Sequence, residues 1–106
     1  MTIDLNLKSE INPLNEVTEF ETTLIIAQEE GLHARPAGMI AKKASSFQSK
    51  VEVSCGGQTA NAKSIMMIMS LGIENGSEIK IKAHGIDAQL AVKTIEGLIL
   101  NGFTGS

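Results

Sequence analysis

Residues 51–61 of this chain read VEVSCGGQTAN and predict a β-hairpin. In the first half, valine or cysteine at every second position alternates with glutamate and serine, which is the pattern of a strand with one buried face. Gly56-Gly57 supplies the two-residue turn, and residues 58–61 return as a second strand. A hairpin in the middle of the chain favours an antiparallel or mixed sheet.

The segments on either side of the hairpin predict helices and two further strands. Upstream, a β-prone stretch covers residues 20–26, and a helix runs from Ala34 to about Ser46 with Ala37, Ile40, Ala41 and Ala44 on one face. Downstream, we expect a short helix over Ile65–Leu71, a strand over residues 79–84, and a final helix capped by Asp87 with an apolar stripe of Ala91, Val92, Ile95, Leu98 and Ile99. The order β-α-β-β-α-β-α, with helices covering one face of the sheet, indicates the α+β class.

Composition limits the number of domains and the classes of function. The 106 residues fit a single domain, which we place at 20–106 after an N-terminal extension at 1–19 with scattered apolar residues. The net charge of −3 argues against a general nucleic-acid binder. No apolar run is long enough to span a bilayer, and the one cysteine favours a reducing compartment. We expect a cytoplasmic protein with no membrane insertion.

Residues 31–36 read GLHARP and combine a histidine, an arginine and a proline where a loop turns into a helix. At a helix start, the backbone N–H groups of Ala34 and Arg35 have no intrahelical partner, and the helix dipole adds partial positive charge. The guanidinium of Arg35 suits phosphate oxygens, and neutral imidazole is a nucleophile. The motif therefore predicts an anion site that contains its own nucleophile, His33.

His33 also has a purely structural interpretation. A histidine near a helix start is often only a cap or a solvated surface residue, and the contribution of the helix dipole alone is small. From these residues alone, the two interpretations remain open. Metal and nucleotide sites have no support, because the sequence has neither a Cys/His cluster with ligand spacing nor a phosphate-binding Gly-Lys loop. We expect no cofactor.

Two stretches of the chain resemble the HPr family, the histidine-containing phosphocarriers of the bacterial phosphoenolpyruvate–sugar phosphotransferase system. Residues 31–37, GLHARPA, resemble the active-site signature of that family, and residues 62–72, AKSIMMIMSLG, resemble its regulatory serine segment. The resemblance covers roughly residues 20–103. It implies an open-faced sandwich in which three helices cover one face of a four-stranded antiparallel sheet, and it implies a monomer.

The resemblance also implies roles for named residues. His33 would accept a phosphoryl group from Enzyme I and pass it to sugar-specific EIIA domains, with Arg35 as its partner. The protein would then be a stoichiometric carrier with a phosphohistidine intermediate, and not an enzyme. Ser64 would be phosphorylated by HPr kinase/phosphorylase, and the product would bind catabolite control protein A.

The residues around Ser64 also predict a structural role for it, as the N-cap of the short helix. Four apolar residues follow it consecutively, more than one buried face needs, so some should be exposed. We expect Ile65, Met66 and Met69 to form an exposed, adaptable patch for partner docking. A phosphate at Ser64 would put charge into that interface.

Two alternatives to a sugar-system carrier remain from the sequence. The chain would be mainly a regulatory interaction module if it acts through phospho-Ser64 in carbon catabolite control. It would be a carrier in a nitrogen-related phosphotransferase branch if its partners belong there. The presence of His33 argues against the first alternative as an exclusive role, and the Ser64 context argues against the second.

Overall fold

The computed structural model describes residues 17–104 and contains four strands and three helices in that range. The order β-α-β-β-α-β-α confirms the prediction. Residues 1–16, and with them most of the predicted N-terminal extension, lie outside the described residues, as do residues 105 and 106. In chain order, the elements are β1 (Thr18–Ile25), α1 (Ala34–Ala44), β2 (Lys50–Cys55), β3 (Gln58–Asn61), α2 (Ile65–Ser70), β4 (Glu78–Gly85) and α3 (Ala88–Leu100).

The four strands form one sheet in the order β1-β4-β2-β3, and every neighbouring pair is antiparallel. Ala83 of β4 lies opposite Phe20 on one side and Val51 on the other. The hairpin predicted from residues 51–61 pairs Val53 with Ala60. The sheet is therefore antiparallel throughout, which decides between the antiparallel and mixed arrangements that the sequence left open.

The ends of several elements differ from the prediction by one or two residues. β1 begins at Thr18 rather than Phe20 because β4 extends to Gly85, which pairs with Thr18. Thr18 and Glu19, predicted as part of the extension, therefore belong to the sheet. α1 ends at Ala44, with Ser45 as its C-cap, and α2 ends at Ser70, with Leu71 as its C-cap.

The core lies between one face of the sheet and the three helices. The predicted stripes of α1 and α3 are buried, and α2 contributes Ile68, which is fully buried. Among residues 17–104, no helix combines the length and the apolar character needed to cross a bilayer, and the longest, α3, has 13 residues. The sheet residues that face the helices are Leu24, Val51, Val53, Ala60, Ile79, Ile81 and Ala83.

The opposite face of the sheet is polar and faces solvent. Lys80 and Lys82 of β4 form ion pairs with Glu21 and Glu19 of β1 at 3.7 and 3.6 Å. Each pair joins diagonal positions of neighbouring strands, which is within reach of long side chains. His84 lies exposed on the same face. Ile25 is the exposed apolar side chain that β1 adds to this otherwise polar face, whereas the apolar side chains of α2 lie on the helical side.

Asp87 occupies the predicted N-cap position of α3, but its carboxylate does not cap the helix. It accepts hydrogen bonds from the backbone N–H groups of Gln48 and Ser49, each at 2.9 Å, and from the Ser49 hydroxyl. Burial acts to raise the pKa of Asp87, but these hydrogen bonds together hold it below its ordinary value. The carboxylate therefore ties the loop before β2 to the start of α3.

The Asp87→Asn variant is expected to lose about 1–2 kcal/mol of unfolding free energy at pH 7, because the amide cannot accept all three hydrogen bonds. A lowered folded-state pKa adds stability above the unfolded-state value of about 4 and loses it as pH falls through the folded-state pKa. Urea unfolding at pH 7 and at pH 2.5 measures the difference, which is expected to shrink in acid. An equal difference in unfolding free energy between the wild type and Asp87→Asn at both pH values would contradict a lowered pKa of Asp87.

Candidate functional site

The loop between β1 and α1 is held against the segment that follows α2. The N–H of Gly31 donates to the carbonyl of Gln28 at 3.0 Å and closes a turn, and the N–H of Leu32 donates to the carbonyl of Ile73 at 3.1 Å. Gly31 has a φ of +70°, and a Cβ there would lie 2.2 Å from the Ile73 oxygen. Only glycine fits this position, so the loop enters α1 along one defined path.

His33 is the N-cap residue of α1, with φ −80° and ψ −165°. Its carbonyl accepts the first helical hydrogen bond, from the N–H of Ala37 at 2.9 Å. Its imidazole makes no capping hydrogen bond, and the side chain is 48% exposed. The ring is therefore accessible to a macromolecular partner, which a ring engaged in capping would not be.

The first turn of α1, directly after His33, carries backbone donors without helical partners. The N–H groups of Ala34 and Arg35 have no acceptor within the helix, and Pro36 has no N–H. Arg35 is exposed and makes no ion pair within residues 17–104. The helix N-terminus and the free guanidinium together suit an anion.

Glu30 was not among the site residues predicted from the sequence. Its Oε1 lies 3.5 Å from Nε2 of His33, and its side chain is 79% exposed. The two residues are separated by the turn at Gly31, so neither helical nor strand periodicity relates them. The only signal in the sequence was a carboxylate three positions before the histidine. Within the described part of the chain, no three or more His, Cys, Asp or Glu side chains are grouped to hold a metal ion.

Ser64 is the N-cap residue of α2, as predicted. Its Oγ accepts a hydrogen bond from the N–H of Met67 at 3.2 Å, and the residue is half-buried. The neighbouring Lys63 is held by a hydrogen bond from its Nζ to the carbonyl of Phe47 at 2.9 Å. The hydroxyl thus lies at a helix N-terminus, beside exposed side chains of the same helix.

The apolar patch of α2 consists of Ile65, Met66, Met67 and Met69, which are 41–77% exposed. Met67 was not assigned to it from the sequence. A Cβ on Gly38 of α1 would lie 3.7 Å from Cδ1 of Ile65, so the two helices touch at this point. The structure thereby brings the apolar patch and the helix that begins at His33 onto one side of the molecule.

Gly38→Ala is expected to stabilise the protein by about 0.5–1 kcal/mol, because alanine is a better helix former than glycine. The new methyl group would meet Ile65 at an ordinary contact distance. Thermal unfolding measures the change, which corresponds to a rise of about 2–8 °C in Tm.

Gly97→Ala in α3 is the matched control, because its methyl group meets nothing within 4 Å. This control gains helix propensity without a new contact, so Gly38→Ala should stabilise at least as much. A destabilised Gly38→Ala variant would show that α1 and α2 approach more closely than the structure indicates.

Comparisons with known proteins agree with this geometry. The family model for the HPr component phosphorylation site of the phosphotransferase system matches residues 20–101. A phosphocarrier protein HPr of Mycoplasma capricolum is 42% identical over 77 residues, which cover 73% of this chain and 86% of the relative.

Solved structures show the same fold. An HPr structure from Thermoanaerobacter tengcongensis matches with a TM-score of 0.78 and 41% identity, covering 82% of this chain and 98% of that one. A histidine-containing phosphocarrier protein of Mycoplasma matches with a TM-score of 0.77 and 38% identity, covering 81% and 100% of the two chains. Both similarities extend over nearly the whole of the solved structures.

Proposed function

The chain belongs to the HPr family of phosphotransferase-system phosphocarriers, and from that premise we propose that His33 is the residue that carries the phosphoryl group. The observation that supports this most directly is the exposed imidazole of His33 at the N-terminus of α1, free of any capping hydrogen bond. The donor is Enzyme I, charged from phosphoenolpyruvate, and the acceptors are sugar-specific EIIA domains. The protein acts in the cytoplasm as a stoichiometric carrier.

The transfer uses groups that the fold already holds in place. A ring nitrogen of His33 attacks phosphorus, and a nitrogen–phosphorus bond forms as the bond between phosphorus and the donor breaks. The N–H groups of Ala34 and Arg35 then meet the phosphoryl oxygens, and the Arg35 guanidinium adds a permanent positive charge. These few exposed donors stabilise the phosphohistidine moderately, which leaves it able to transfer onward.

The apolar patch of α2 supplies the docking surface for both partners. The patch adjoins α1 at Ile65, which a methyl group on Gly38 would meet. Unbranched methionines adapt to differently shaped surfaces, which suits a protein that binds a donor and several acceptors in turn. One surface serves successive partners, so the carrier leaves its donor before it meets an acceptor.

Ser64 gives the same surface a means of control. A phosphate on Ser64 Oγ adds about two negative charges at the N-terminus of α2, where the fold tolerates them. The same charges stand beside apolar side chains that Enzyme I would cover, so docking weakens while the domain stays folded. The modifying enzyme is HPr kinase/phosphorylase, and the product binds catabolite control protein A.

His33→Ala is expected to abolish labelling by Enzyme I and phosphoenolpyruvate, because the nucleophile is gone. The label on the wild type should be lost in acid, as a phosphoramidate is. The unfolding free energy should change by less than about 0.5 kcal/mol, since His33 is a surface residue.

His84→Ala is the control for His33→Ala, because these are the only two histidines in the chain and His84 lies on the opposite, polar face of the sheet. It should retain full labelling. Persistent labelling of a folded His33→Ala variant would overturn the assignment. If Enzyme I never labels His33 while kinase and ATP label Ser64, the chain is a regulatory module.

Ser64→Asp is expected to slow phosphoryl transfer from Enzyme I at least about tenfold, because a charge then faces an apolar interface. Ser64→Ala loses the cap, about 1 kcal/mol of stability, but should transfer at the wild-type rate. Steady-state labelling over a range of Enzyme I concentrations separates weaker docking from slower chemistry.

Ser54→Asp makes the same chemical change on the polar face of the sheet and controls for net charge alone. It should leave transfer unchanged. Equal slowing by Ser54→Asp and Ser64→Asp would show that the apolar patch is not the docking surface.

A further inference from the structure

We propose that Glu30 is a positioning residue for His33: its carboxylate keeps the ring proton on Nε2, so that Nδ1 presents the reactive lone pair. The proposal rests on the proposed function of His33 and assigns a task to a residue outside the motif at 31–36. After phosphorylation, the Glu30 carboxylate would face the positive charge of the ring.

The local backbone places Glu30 beside the ring. The hydrogen bond from Gly31 N–H to Gln28 carbonyl makes Glu29 and Glu30 the two central residues of a turn. Gly31 then takes its left-handed conformation against Ile73, and the chain enters α1 at His33. Glu30 Oε1 lies 3.5 Å from Nε2, a distance at which the charge of the carboxylate acts directly on that nitrogen.

The carboxylate distinguishes the two ring nitrogens. A negatively charged acceptor next to Nε2 favours the tautomer with the proton on Nε2. It also repels a phosphoryl group from that nitrogen. Nδ1 is then both unprotonated and the nitrogen that an anionic phosphoryl group can approach.

The same contact acts through the transfer itself. The Nδ1 lone pair attacks phosphorus, the Nδ1–P bond forms, and the bond from phosphorus to the donor breaks with its electron pair leaving on the donor. The ring keeps its Nε2 proton and gains a positive charge, which the Glu30 carboxylate faces. When the phosphoryl group moves on, the Nδ1–P electron pair returns to Nδ1 and the neutral Nε2–H tautomer is restored.

The first test measures the tautomer in the unphosphorylated protein. Nitrogen NMR of the His33 ring, at a fixed pH where the ring is neutral, gives the ratio of Nε2–H to Nδ1–H forms. In Glu30→Ala the ratio should fall about two- to five-fold, the range expected for an exposed ion pair. Glu30→Gln keeps an acceptor oxygen without the charge, so its ratio of tautomers should lie between those of the wild type and Glu30→Ala.

Glu29→Ala is the matched control, since Glu29 is the other central residue of the turn, is exposed, and makes no ion pair within residues 17–104. It removes the same charge and should leave the ratio unchanged. An unchanged ratio in Glu30→Ala, or an equal fall in Glu29→Ala, overturns the proposal.

The second test follows the phosphorylated protein at the same fixed pH. Loss of the phosphoryl group should be about two- to five-fold slower in Glu30→Ala than in the wild type, because the protonated ring is the better leaving group. An unchanged or faster loss contradicts the role of Glu30 during transfer. If His33 is never phosphorylated, the proposed function fails, whereas the tautomer ratio still tests Glu30.

Discussion

The close contact between the loop before α1 and the backbone of Ile73 is the constraint on which the functional side of the molecule depends. Ile73 follows α2, so the hydrogen bond from Leu32 N–H ties the start of α1 to the end of α2. A side chain on Gly31 would collide with the Ile73 carbonyl. Because this approach fixes the direction in which the chain enters α1, it fixes where the His33 ring stands relative to the apolar patch.

The chemistry that we propose for His33 would use interactions that are weak one at a time. An exposed ion pair, a helix N-terminus and a free guanidinium each stabilise a charge by a small amount in water. Their sum suits a group that has to be held and then released. A buried site with more donors would hold a phosphoryl group more tightly and would slow its departure. The exposure of His33 and Glu30 therefore suits the proposed transfer.

The features of this structure that the sequence predicts are those formed by residues close together in the chain. The hairpin at 51–61, the helix start after His33 and the cap at Ser64 follow from residues that adjoin one another, and they were predicted. The hydrogen bonds of Asp87 were missed because Gln48 and Ser49 lie 39 and 38 positions away. The local pattern of a single sequence identified Asp87 as a helix cap, but it contains no information about partners so far away in the chain. Glu30 was missed because the path from its turn to His33 depends on the contact of Gly31 with Ile73, which lies far along the chain.

The polar face of the sheet determines which surface of the carrier stays in contact with water when a partner is bound. Its side chains pair with one another across the strands, as in the contacts of Lys80 with Glu21 and Lys82 with Glu19. When a partner covers the helical side, the surface left in contact with water is this charged one. In the proposed complexes, this face would therefore present water mainly with paired charges, and Ile25 would be its exposed apolar side chain. While the helical side is occupied, the strand face would then offer a further protein little apolar area.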